Sequence, residues 1–395
     1  MAFVKRRIKF LTLVTTGLLL LSGLAFSFFV SSPRQAAHAS GSQGFYQQTN
    51  LVSDIAGVAL FTDPNLVNAW GLSHPPTGPW WISDNGTGFS TLYNGNGRGF
   101  PVGSPLVVTI APPGGSPAGT TAAPTGNIFN PVNSTNPDDF VVKEGKASGP
   151  SIFMFATEDG TISGWNPGVD LTNTILGVDR STVSQGGFVG AVYKGLAFGQ
   201  SGGNDFIYAT NFRFGQVEMF NSNFQLKGSF TDSQLANTCP LPNQCFAPFG
   251  IQNIGGNLYV SFALQDAAHH DDAHGPSRGF VDVFDTNGNL IKRLISRGAL
   301  NSPWGLALAP ANFGQFSNDL LVGNFGNGRI NAFDPNTGAL LGQLRNQKGL
   351  IISINGLWGL AFGNGKTAGP TNSLFFTAGI NDEANGLFGK IESEN

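Results

Sequence analysis

The chain of 395 residues carries 55 glycines, only 11% charged residues and a formal net charge of −3. That balance argues against a helical protein, because glycine costs about 1 kcal/mol per helix position and exposed helices carry Glu and Lys. Without residues 1–39, which hold Lys5, Arg6, Arg7, Lys9 and Arg34 and no acids, 16 basic residues face 24 acidic ones, which excludes a nucleic-acid partner in need of a basic footprint.

In chain order, the first element is an export signal. Basic residues up to Lys9 precede an uncharged run from Phe10 to Val30, and Ala37-His38-Ala39 follows as an A-x-A cleavage site, so the mature chain is expected to begin at Ser40. The run is also as long as the roughly 20 residues that span a bilayer, so residues 10–30 read equally as an uncleaved anchor, the only route to a membrane. Both readings make the body at 40–395 secreted or extracytoplasmic, since the basic end stays inside.

Next comes a spare strand, "FYQQTNLVSD", at residues 45–54. After it one signature recurs: "NAWGLS" with Gly71, "PTGNIFN" with Gly126, "YKGLAFG" with Gly195, "APFGIQ" with Gly250, "SPWGLA" with Gly305 and "GLWGLA" with Gly359. The last four glycines lie 54 or 55 residues apart, and so do the first two. Six units result, starting near 68, 126, 194, 247, 302 and 355. Unit five shows the content of each: "GLALA", "DLLVGNF", "RINAFD" and "ALLGQL", nearly continuous apolar runs of the kind that strands covered on both faces require. Asn287-Gly288 and Thr337-Gly338 mark hairpins between third and fourth strands. Four antiparallel strands repeated six times specify an all-β, six-bladed β-propeller as a single domain, a ring that leaves no free sheet edge. Unit six ends one strand short, so the strand at 45–54 is expected to complete it; a loose leader beside a three-stranded blade is the other reading. In unit two, "FVVKEG" competes with "GNIFN" for the place of first strand. Residues 111–126 form a Pro/Gly/Thr connector.

Cys239 and Cys245 in "CPLPNQC" read as a disulfide staple in an oxidising compartment, with no neighbouring His to make zinc ligands of them. The P/W-x-G starts resemble NHL-type repeats. The stretches "NLVSDIAG", "TDPNLVNAWGL", "FMFATEDGTISGWNPGVD", "YATNFRFGQVEMFN" and "GFVDVFDTNG" resemble a family of secreted bacterial propellers of unassigned function, over about residues 46–391. The resemblance implies fold and export, and it brings no activity.

In a propeller the turns between second and third strands share one face with the connections between blades. Here the second strands end in polar residues: Asp84 and Asn85, Glu158 and Asp159, Asn211, Gln265 and Asp266, Asn324, then Asn381, Asp382 and Glu383. They are expected to ring one mouth of the axial channel, where a divalent cation is a candidate cofactor; as good turn formers, Asn and Asp equally suit a plain loop. The loop of unit four, "QDAAHHDDAHG", adds His269, His270, Asp271, Asp272 and His274, a nitrogen and oxygen set fitting a transition metal. Those residues are consecutive, so a solvated polar loop accounts for them equally. Ser201 in "GQSGG" lacks the strand-to-helix turn of a nucleophile elbow, and "GNGKT" at 363–367 lacks the first Gly of a phosphate loop. Trp80, Trp81 and Trp165 read as sugar platforms or as core. Two functions follow. One is a monomeric binding or scaffold module for a small molecule, glycan or protein; the other is a lactonase- or lyase-type hydrolase using a cation at the mouth.

Overall fold

A Cβ added to Gly250 would lie 2.1 Å from the carbonyl oxygen of Trp304, and one at Gly126 would lie 2.4 Å from the amide nitrogen of Leu196. The recurring glycine therefore sits where the first strand of one unit meets the backbone of the next too closely for any side chain. In the computed structural model, which describes residues 44–394, these first strands are Ala69–Ser73, Pro124–Phe129, Tyr193–Ser201, Phe246–Ile254, Pro303–Leu308 and Leu357–Phe362. Each packs against the next, and the sixth packs against the first, closing a ring around one axis.

Each inner strand leads four antiparallel strands, giving a six-bladed β-propeller, and the sixth blade gains a short parallel edge strand, Phe61–Thr62. Blade 6 takes its outer strand from the other end of the chain. Phe45–Ser53 pairs antiparallel with Asn385–Glu394, from Phe45 opposite Glu394 to Ser53 opposite Leu387. The buried Tyr46 fastens this closure to blade 5, its hydroxyl donating to Phe313 O at 3.0 Å and accepting from Phe316 N at 3.1 Å. In blade 2 the inner strand is Pro124–Phe129, and the competing segment instead forms a separate hairpin, Val141–Glu144 with Ala147–Pro150.

Apolar side chains fill the wedges between blades. Trp80, Trp81 and Trp165 belong there, at most 6% exposed; Trp81 stacks on Phe153 at 4.2 Å and meets Trp165 at 4.5 Å. They are core, so the sugar-platform reading is withdrawn. Cys239 and Cys245 form the disulfide. The leader or anchor expected at 1–39 lies outside the described residues, among which no helix is long and apolar enough to cross a membrane.

Candidate binding site at the loop-face mouth

The channel is shaped by the residues flanking the repeated glycine. In four blades the register between inner and second strand slips across the aromatic–glycine pair, between Ala69 and Leu72, Pro248 and Ile251, Pro303 and Leu306, and Leu357 and Leu360. Such a bulge re-aims a side chain, and here it turns the aromatics to the axis. Trp70 of blade 1 stacks on Trp358 of blade 6 at 3.5 Å and meets Trp304 of blade 5 edge-on at 6.2 Å; Phe249 of blade 4 reaches Trp358 at 5.8 Å. Rings from blades that are not neighbours can touch only across the axis, so these side chains plug the channel.

Blade 3 has a lysine at this position. Lys194 is 1% exposed, with its Nζ 5.1 Å from the Trp70 ring centroid, and its carbonyl accepts from the Trp304 indole at 3.0 Å. Its ammonium donates to Glu158 Oε1 of blade 2 and, at 3.1 Å, to Asp271 Oδ1 of blade 4. Burial acts to strip the charge, but the two carboxylates outweigh it and hold the Lys194 pKa above its ordinary value. A lysine held protonated is no nucleophile; it is a fixed cation.

From this lysine a chain of hydrogen bonds runs round the mouth. Glu158 Oε2 accepts from Asn85 Nδ2 at 2.9 Å; Asn68 Nδ2 donates to Asn85 Oδ1 at 3.2 Å and to Glu383 Oε2 at 2.7 Å; the Trp358 indole donates to Asn68 Oδ1 at 3.2 Å. At the other end His270 Nδ1 lies 3.0 Å from Asp271 Oδ1. The arc thus joins blades 6, 1, 2, 3 and 4. Asn381, Asp382 and Glu383 all have positive φ, of 56°, 52° and 65°, so a strained left-handed turn delivers Glu383 to it.

Negative charge dominates this mouth. Burial first, then the nearby Glu158 and Asp271 carboxylates, push Glu383 up from its ordinary value against the pull of its Asn68 hydrogen bond. Asp159, accepting from Ala123 N at 2.7 Å, is raised by burial and by Glu158. Burial also works against the charge of Asp271, but its His270 hydrogen bond and Lys194 outweigh it and hold the carboxyl well below the usual range.

Several residues expected at the mouth are turned elsewhere. Asp84, Asn211 and Asn324 are fully buried. Asn211 donates to Glu218 at 3.0 Å and Asn324 to Ala299 O at 2.8 Å, while burial and the neighbouring Asp63 push the Asp84 carboxyl well above its ordinary range. They stay out of the mouth because the last residue of a second strand can face its own third strand as easily as the opening. Asp266 accepts from His270 N at 2.8 Å, and Asn381 bonds Asn385 at 3.1 Å; both brace their own turns.

The His/Asp loop divides as well. His269 stacks on Phe188 at 4.2 Å, and its ring nitrogens face Arg213 O at 3.2 Å and Asn243 O at 2.6 Å, so backbone carbonyls occupy both. The Asp272 side chain is 5% exposed, with His274 3.7 Å away. Only His270 and Asp271 reach the arc, where with Glu158 they bring three ligand atoms within 4.8 Å of one another. Lys194 and Asn68 were missed from sequence because they sat inside the repeat signature. The signal was present: the residue before the glycine is aromatic in four units, and Lys194 and Thr125 are the departures.

No family model matches the chain. It is 33% identical to uncharacterized protein R648 of Acanthamoeba polyphaga mimivirus over 344 residues, 86% of this chain and 78% of that protein. It is 30% identical to L690 of the same virus over 346 residues, 86% and 84% of the two chains. The sequence resemblance pointed to bacterial proteins; these relatives are viral. Among solved structures it is similar to a streptogramin B lyase at 11% identity and a TM-score of 0.49, covering 89% of this chain and 98% of that one. A gluconolactonase from Xanthomonas campestris follows at 12% and 0.47, covering 84% and 87%. Such scores carry nothing about what this chain binds.

Proposed function

This chain belongs to the same family as the mimivirus proteins R648 and L690, and we propose that it is an exported binding module whose loop-face mouth takes the cationic group of a small molecule or protein. The observation that carries this is a charge imbalance. Among the described residues, the carboxylates of Glu158, Asp159, Asp271 and Glu383 gather there, faced by the Lys194 ammonium and the Arg213 guanidinium. A site whose carboxylates already repel one another gains from an added positive charge. The aromatic floor suits such a ligand too, since Trp70 and Phe212 already face one alkylammonium, that of Lys194. Calorimetric titration with spermidine tests the reading. Binding is expected, weakening with salt and about fivefold in Glu383→Gln, a loss of about 1 kcal/mol. No binding, or binding indifferent to Glu383→Gln, refutes it.

A second reading is metal-assisted hydrolysis, favoured by the convergence of Glu158, His270 and Asp271. It requires a metal to draw two carboxylates away from the Lys194 ammonium. Elemental analysis of the purified protein and of His270→Ala decides: a stoichiometric metal lost in the variant would replace the first reading with this one.

A further inference from the structure

The inner strands run from the acidic mouth to the opposite end of the channel, where they open into a cavity of about 290 Å³. Leu72, Ile128, Phe129, Leu196, Phe198 and Leu360 give it an apolar side, Ser73, His74, Asn127, Gln252 and Asn253 add polar groups, and no acid, lysine or arginine lines it. Toward the axis it narrows into a second space of about 40 Å³ bounded by the repeated glycines and Trp304, the underside of the aromatic plug.

Two polar atoms of this lining stand without a partner. The residue after the repeated glycine is Leu72, Leu196, Ile251, Leu306 and Leu360 in five blades, but Asn127 in blade 2. Asn127 is 6% exposed and lines both spaces. Its amide nitrogen faces Gly71 O at 3.3 Å, Trp81 O at 3.2 Å and Ser83 Oγ at 3.0 Å. Two of these are carbonyl acceptors, so the nitrogen must be the atom on that side. That leaves Oδ1 buried without a partner, and the Ser73 hydroxyl, also on the cavity wall, is in the same condition. A buried acceptor with nothing to accept from is costly and calls for an explanation.

We propose that this funnel is a second binding site, distinct from the acidic mouth, for an uncharged monocyclic alcohol or phenol whose hydroxyl donates to Asn127 Oδ1 and pairs with Ser73. The volume is roughly twice that of a cavity that takes a benzene ring, enough for a substituted one. The absence of acid, lysine and arginine from the lining favours a neutral ligand, and the two unpartnered polar atoms orient it.

Fluorine NMR titration of the full-length protein with 4-fluorophenol and 4-fluorotoluene, similar in size and differing in the hydroxyl, tests this. The phenol is expected to bind about tenfold more tightly than the toluene. Ser73→Ala should weaken the phenol about threefold to tenfold and leave the toluene unchanged. Ile128→Trp, at a partly exposed position, should fill the funnel and abolish binding of both while the melting temperature stays at wild type. No binding of 4-fluorophenol at millimolar concentration, equal affinities for the two probes, or phenol binding unaffected by Ser73→Ala would overturn the proposal. Spermidine binding at the other mouth is read separately and should not respond to either variant.

Discussion

The two ends of one channel are built by the same six strands and are chemical opposites. At the loop face the polar groups are engaged: Lys194, Glu158, Asn85, Asn68 and Glu383 form an unbroken chain of hydrogen bonds. At the far end no acid, lysine or arginine lines the wall, and the Asn127 carbonyl and Ser73 hydroxyl have no partner. The difference comes from two positions per blade. The residue before the repeated glycine makes the plug and the one after it makes the funnel, so one substitution in one blade sets the chemistry of an end. A ring of repeats acquires function through its irregular members.

The largest effect should come from removing what both ends share. Gly250→Ala places a methyl 2.1 Å from Trp304 O, where only backbone could yield. A loss of about 3 kcal/mol in urea unfolding is expected, with binding impaired at both ends; a neutral result would show that the inner strands are not held at this distance.

Lys194→Met separates the ends. It leaves Glu158 and Asp271 without their cation, and since the Asp271 side chain is 66% exposed and can turn to water, the cost should be about 2 kcal/mol, below that of a fully buried pair. Funnel binding should persist. The depressed Asp271 pKa also fixes a pH dependence: its contribution is present above the unfolded carboxylate value of about 4 and is lost as pH falls below it. The wild type should therefore lose stability on acidification to pH 3, and Lys194→Met should lose less.

Glu383→Gln should act with the opposite sign. A carboxyl whose folded pKa is raised favours the fold at low pH and loses that contribution as pH rises through the folded value. Removing the charge, while keeping an oxygen for Asn68, should stabilise the protein by about 0.5 kcal/mol at pH 7 and change nothing at pH 3. Smallest is Ser73→Ala, expected to shift stability by less than about 0.5 kcal/mol; a larger loss would mean that the hydroxyl is structural.

Much of the architecture could be read from the chain, because a glycine forced by backbone contact leaves a period that no loop variation hides. The closing strand at 45–54 was legible as the missing fourth strand of the last unit. The hairpin at 141–150 was not distinguishable from an inner strand, since both alternate alike and only ring closure decides between them. At the mouth, polar residues ending second strands are visible in sequence, but whether each faces the opening, as Asn85 and Glu158 do, or its own blade, as Asp84 and Asn211 do, depends on one rotation of the strand end. His269 carries the same lesson: its partners Phe188, Arg213 and Asn243 are at least 26 residues away in the chain, and no local pattern announces them.

The claim on which the acidic mouth depends is that the Lys194 ammonium, gripped from two other blades, caps the aromatic plug. A double-mutant cycle of Lys194→Met and Glu158→Gln, followed by urea unfolding at pH 7, measures that grip. A coupling of about 1–2 kcal/mol is predicted, and effects additive within about 0.3 kcal/mol would contradict it.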